Sequence, residues 1–238
     1  MTSKEMLAIR YTFFRFPSHY ALTVIPVISG IISVFFLQQF DEVTFGNQWK
    51  FVSQNQYNLV ESYLLISKIA LIFIASFFIA FKWSNMEING SYGFWLTQRV
   101  KRHSFYFQAV GLFIIEIYLS LTLGILLLLY LIGIKITTIE LMQLMILLLI
   151  QIMIIVAGAI LLAEIIPNAE ITASSLLSFG TLNFFLNTDD SSILHKILKS
   201  DLHFQESSII FPLILSTLTA IALLGISFVI HLRRSIDL

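Results

Sequence analysis

Cysteine is absent from this 238-residue chain, which excludes a disulfide framework, a thiolate metal site and a thiol nucleophile. Charge is scarce too: 12% of residues are charged, and the 14 basic and 14 acidic side chains cancel. Without a positive excess, no nucleic-acid partner is expected. No G-x-x-x-x-G-K-[ST] run occurs, so a phosphate-binding loop is missing and no cofactor is expected in this chain. A cleavable leader is not expected either. Lys4, Glu5, Arg10, Arg15 and Pro17 interrupt the first 18 residues, so the first apolar span should be retained and act as the insertion signal.

Apolar side chains fill the space. They make up 58% of the residues, and mean hydropathy is +0.89. A hydrocarbon layer about 30 Å thick takes roughly 20 apolar residues per helical crossing. Backbone amides in lipid must be satisfied internally, so spans are helices or a closed barrel. Residues 114–134 and 141–163 are near-continuous apolar runs rather than short alternating segments, which selects helices. The expected fold is an all-α integral membrane protein, a single transmembrane domain over 1–238 with six transmembrane helices.

Residues 4–16 read as an amphipathic elbow helix within 1–17. Met6, Ile9, Phe13 and Phe16 lie on one face and Lys4, Ala8, Thr12 and Arg15 on the other, the pattern of a helix lying in the lipid headgroups. The expected spans are 20–40, 59–81, 105–132, 139–165, 169–186 and 209–232, with Pro26 kinking the first and Gly133 turning the third into the fourth. Six crossings put both termini on one side. Lys4, Arg10, Arg15, Lys82, Arg99, Lys101, Arg102, Arg233 and Arg234 fall on that side, and Lys50, Lys135, Lys196 and Lys199 on the other. Nine against four, with every arginine among the nine, makes the terminus side cytoplasmic and the location the cell membrane.

Segment 82–104 carries the most information. Asn89-Gly90 is a turn signal, and Phe94, Trp95, Leu96 and Val100 are apolar among Arg99, Lys101, Arg102 and His103. A positive flank accounts for the charges. Docking of a protein through an apolar patch with a charged rim accounts for the aromatics as well; contact with anionic lipid is the other use of such a segment.

An elbow helix, six spans, and a loop of the form Glu-x-x-Gly, an apolar pair, then Arg-x-x-Arg running into the third span together resemble the permease subunits of type-two ABC exporters. The likeness covers the whole chain as topology; as motif it rests on Glu87, Gly90, Leu96, Arg99 and Arg102. It implies that 82–104, with Phe94 and Trp95, is a coupling segment seated in a separate nucleotide-binding ATPase subunit that holds ATP and Mg. It also implies a second permease half, as a homodimer or a paired permease. Residues 187–207, with Ile193, Leu194, Ile197, Leu198 and Leu202 at helical spacing, are similar to that family's outer-face segment. The short acidic connection 164–170 and a fifth span of only about 18 residues depart from the pattern.

Lys68 and Glu116 fall well inside predicted spans, away from their ends. Such groups are costly in hydrocarbon and face protein or water. Their depths differ by less than about 10 Å, so a pair is feasible; Lys68 can also snorkel outward, and Glu116 is either a hydrogen-bonded structural group or a pathway carboxylate. The fifth span carries Thr172, Ser174, Ser175, Ser178, Thr181 and Asn183. Helix packing is the ordinary reading; a pathway lining that uses Ser174 and Ser178 is the sharper one. His195 and His203 with Asp189, Asp190 and Asp201 match no zinc spacing and read as solvated loop residues. Glu164 and Glu170 could serve a hydrolase as paired carboxylates, but a capped turn, with Asn168 or the preceding Pro167 ending one helix and starting the next, explains the stretch.

The expected activity is therefore that of the membrane subunit of an ATP-driven exporter, not itself an enzyme, moving an amphipathic peptide, lipid or drug. The alternatives are a proton-coupled secondary transporter using Glu116 and Lys68, and a non-transporting scaffold or immunity protein.

Overall fold

The computed structural model describes residues 18–37, 42–45, 49–52, 56–88, 101–133, 138–166, 168–185 and 210–233, where the long apolar runs form helices and two short segments form strands. In chain order, α1 is Ser18–Leu37, followed by strands β1 (Glu42–Phe45) and β2 (Trp49–Val52). Helix α2 (Gln56–Ala75) passes through a π-helical turn, Ser76–Ala80, directly into α3 (Phe81–Ile88). The remaining helices are α4 (Arg102–Ile132), α5 (Thr138–Ile165), α6 (Ala169–Phe185) and α7 (Ile210–Arg233).

Four helical stretches are long and apolar enough to cross a membrane: Ile66–Asn85, Arg102–Leu131, Leu141–Ile165 and Leu213–Arg233. They correspond to four of the six expected spans. The other two are shorter. The apolar part of α1 is Thr23–Phe36, and α6 has 17 residues, about 26 Å of helix against about 30 Å of hydrocarbon. Large apolar side chains point away from the bundle, among them Ile115, Leu119, Leu123 and Tyr130 on α4 and Ile214, Leu218 and Ile221 on α7. An outward face this greasy is the surface of a membrane protein. The elbow helix lies outside the described residues, as does segment 187–207.

Two features differ from the expected layout. The first is a hairpin, Glu42 pairing with Val52 and Phe45 with Trp49, inside what reads as a polar connection. Its strands are rich in β-branched and aromatic residues, which suit a pleated surface. The second is the inner end of the second span. The helix does not stop at residue 81 but runs on through Lys82 to Ile88, so the first part of segment 82–104 is helix. Lysine is a good helix former, and its stem can pass along an apolar wall while the ammonium reaches out; a charge there marks a boundary of composition, not of structure.

The π-turn has a positional consequence. Tyr63, Ser67, Leu71, Ala75, Ile79 and Trp83 recur every fourth residue, and all are buried. On an ideal α-helix each such step drifts about 40° round the axis, so five steps would carry the last residue about 200° away. An i→i+5 turn at Ser76–Ala80 is wider and gives back part of that drift. It keeps Trp83 on the buried side.

Helix α1 packs on α2 and α4, α7 packs on α5 and α4, and α6 packs on α2, α3 and α5. Gly133 ends α4 in the left-handed conformation, φ 72°, with its N–H donating to the Leu129 carbonyl. The turn between α5 and α6 is capped by Asn168. Its Oδ1 accepts from the N–H of Glu170 at 2.9 Å and of Ile171 at 3.1 Å, the capped turn expected from sequence.

Candidate functional site: a buried polar joint

The start of α3, the last turns of α5 and α7 and the start of α4 meet at one end of the bundle. Each brings a side chain inward. Trp83 Nε1–H donates to Glu164 Oε1 at 2.8 Å. His231 Nδ1 lies 2.5 Å from the same oxygen. The carboxylate and imidazole side chains are 0% and 1% exposed, and Trp83 is fully enclosed. From α4, the Tyr106 hydroxyl sits 3.0 Å from Ser227 Oγ and 3.2 Å from the Leu224 carbonyl, both on α7.

Aromatic rings wall the joint. The imidazole lies 5.8 Å from Trp83 and 5.2 Å from Tyr106 between ring centroids, and Trp83 meets Tyr106 edge-on at 6.0 Å and 85°. Phe105 and Phe228 close the outer sides against Trp83 and Tyr106. Rings in these orientations add attraction beyond the area they bury.

The chemistry follows from the donor inventory. An indole N–H only donates, so Oε1 accepts from Trp83 with one lone pair. The contact with Nδ1 needs a proton between the two atoms. The arrangement thus ties α3, α5 and α7 together through one buried carboxylate oxygen. Around it stand basic side chains. Lys101, His103 and Arg233 are exposed, Lys82 is half-buried with its ammonium 6.0 Å from the Phe78 ring, and Arg102 donates from Nη1 to the Leu232 carbonyl at 3.4 Å.

Of the residues expected to couple to an ATPase, Arg102 alone is described beside this joint, while Glu164, read in sequence as part of a capped turn, lies at its centre. Glu87 lies in the last turn of α3, and Gly90, Phe94, Trp95, Leu96 and Arg99 fall outside the described residues. Lys68 on α2 and Glu116 on α4 are half-buried, each with interactions of its own. Ser174 and Ser178 are on the exposed side of α6, Ser174 donating back to the Glu170 carbonyl at 2.8 Å; the buried face of α6 is Ala169, Thr172, Ala173 and Leu176. Glu164 and Glu170 part company, the first buried and the second exposed. No group of three metal-ligating side chains occurs among the described residues, and the 189–203 candidates lie outside them.

Sequence reading passed over Trp83, Tyr106, Ser227 and His231. One signal was there to be used. Glu164 and His231 close two predicted spans on the same side, so their levels match, as the levels of Lys68 and Glu116 do. No family model, no curated protein and no solved structure matches the chain.

Proposed function

We propose that this chain is the membrane-spanning half of an ATP-driven exporter in the cell membrane, with six crossings, both termini cytoplasmic, and ATP hydrolysed by a separate subunit. The observation that supports the reading is the position of the joint. Segment 89–100 connects α3 to α4, and the joint binds those two helices to the ends of α5 and α7. A push on that segment reaches four helices through buried hydrogen bonds and ring contacts, and packed interiors of this kind transmit displacement rather than absorb it. Phe94, Trp95 and Leu96 form the apolar part of the docking surface, and Glu87, Gly90, Arg99 and Arg102 shape and rim it. The cations at this end agree with a cytoplasmic face. The route runs between this chain and a second permease half, and its apolar walls suit an amphipathic peptide, lipid or drug.

The test is replacement of Phe94, Trp95 and Leu96 by alanine together, followed by co-purification with the separate ATPase subunit that this reading requires. Binding is expected to weaken on the order of 10- to 100-fold, as when a central apolar anchor is removed. Undiminished binding rejects the docking surface. Substrate movement driven by a proton gradient in vesicles that lack any ATPase rejects the exporter and favours a secondary transporter.

A further inference from the structure

The connection between α1 and α2 carries a pattern that its overall polarity hides. Strands β1 and β2 pair antiparallel, Val43 opposite Phe51 and Phe45 opposite Trp49, with Glu42 opposite Val52 and Thr44 opposite Lys50. Residues directly opposite share a face of the ladder, and successive residues alternate between faces. One face therefore carries Val43, Phe45, Trp49 and Phe51, and the other carries Glu42, Thr44, Lys50 and Val52. A slip of one residue would mix the two sets, so this register is the kind that sorts them. An isolated two-stranded hairpin is marginal in water, and a wholly apolar face of this kind calls for a cover.

The place of the hairpin limits what that cover is. Helix α1 ends at Leu37 and α2 begins at Gln56. Fully extended, residues 38–41 reach about 14 Å and residues 53–55 about 11 Å. The last turns of α1 expose Ile32, Phe35 and Phe36, so the lipid-facing surface of the bundle runs up to the foot of the hairpin. From Gln56 to Trp83 the helix is continuous, a rise of about 40 Å, which puts the hairpin at the end opposite the joint. The headgroup layer on each side of a bilayer is about 5–7 Å thick. Tryptophan with apolar neighbours on one face, and a glutamate and a lysine on the other, is a composition suited to that layer. The apolar part of α1, Thr23–Phe36, is also short for a crossing. An anchor at its end would hold the depth that length alone does not set.

We propose that the hairpin Glu42–Val52 is a lipid anchor, lying on the bilayer surface with the face of Val43, Phe45, Trp49 and Phe51 in the headgroup layer. The anchor needs only that the bundle sits in a membrane, and it stands or falls whether or not an ATPase docks at 89–100.

The test uses cysteine substitutions, one per chain, from Glu42→Cys to Phe45→Cys and from Trp49→Cys to Val52→Cys, in a chain without native cysteine. Each full chain carries a nitroxide and is placed in phosphatidylcholine nanodiscs. Collision of the label with oxygen, which concentrates in lipid, is compared with collision with a nickel chelate, which stays in water. The oxygen-to-nickel ratio is expected to be several-fold higher at 43, 45, 49 and 51 than at 42, 44, 50 and 52. Little collision with either reagent at 43, 45, 49 and 51 would mean that protein, this bundle or a second copy, covers the face, and overturns the anchor. Free collision with nickel there means water and overturns it too, as does a ratio that does not alternate along the strands. Should a label prevent insertion, unlabelled wild type is compared with Trp49→Phe. The emission lost by that substitution is expected to be quenched by phosphatidylcholine brominated near the headgroup; its persistence overturns the anchor.

Discussion

The bundle is fastened in two unlike ways at its two levels. Midway along, where α1, α2 and α4 meet, the fastening is shape. Tyr63 lies fully buried between Gly30 and Gly124. A methyl at Gly124 would fall on its hydroxyl and within 2.8 Å of Val27 Cγ1; one at Gly30 would fall on Ser67 Oγ and within 2.7 Å of the Tyr63 ring. Polar contacts there are single hydroxyl-to-backbone bonds, Tyr63 to Leu121 at 3.3 Å and Ser120 to Thr23. At the end where α3, α4, α5 and α7 meet, the fastening is polar, an ionisable pair and two further donors inside a ring of aromatics. Lipid provides no apolar driving force between helices, so close packing and hydrogen bonds must do the work. Shape alone fixes one arrangement. The polar joint adds directional hydrogen bonds to shape, and it sits next to the segment proposed to receive the stroke.

Removing the centre of the polar joint is expected to have the largest effect on stability. Glu164→Ala leaves the Trp83 N–H and the His231 ring without their acceptor, and loss of one member of a buried pair costs about 3 kcal/mol or more. Glu164→Gln keeps an acceptor for the indole and should cost less than half as much. Denaturant titration of the purified chain in mild detergent measures both. Equal losses from the two substitutions would mean that the carboxylate is only filling space.

The glycine level breaks differently, and the two glycines can be told apart. Overpacking costs roughly 1–3 kcal/mol, so Gly124→Ala and Gly30→Ala should each destabilise by that order. At Gly124 the nearest obstacle is the Tyr63 hydroxyl; at Gly30 it is Ser67 Oγ, with the Tyr63 ring next. Tyr63→Phe should therefore restore part of the loss in Gly124→Ala and none in Gly30→Ala. Rescue of both, or of neither, by the same unfolding measurement would mean that the close approach of α1, α2 and α4 is not set by that side chain.

How much of this could be read from residues alone depends on the range of the signal. The long apolar runs, the Gly133 turn and the Asn168 cap are local, and each is found where hydropathy and turn chemistry put it. The inner end of the second span was harder, because Lys82 looks like a boundary while helix propensity carries on through it. The hairpin at Glu42–Val52 hid in a stretch judged by its polarity. The joint was the least legible part. Its hydrogen bonds link positions 81 and 67 residues apart. Glu164 was weighed only against its neighbour Glu170, and His231 was absorbed into an apolar span just before Arg233. Trp83 is placed by a π-turn that four-residue periodicity hints at but does not announce.

The smallest effect separates the joint into its parts. Tyr106→Phe removes the hydroxyl that bridges to Ser227 and the Leu224 carbonyl and leaves the rings against Trp83 and His231 in place. A neutral hydrogen bond is worth about 1 kcal/mol net, and Ser227 can turn its own hydroxyl to a backbone carbonyl of its helix, so the loss should be about that or less. If Tyr106 only anchors α7, adding Tyr106→Phe to Glu164→Ala subtracts its small share independently. If phenol, imidazole and carboxylate act as one network, the double variant loses less than the sum, since the first break has already released the end of α7. A double-mutant cycle on the same unfolding curves decides between the two. An additive result would confine the coupled part of the joint to Glu164, His231 and Trp83.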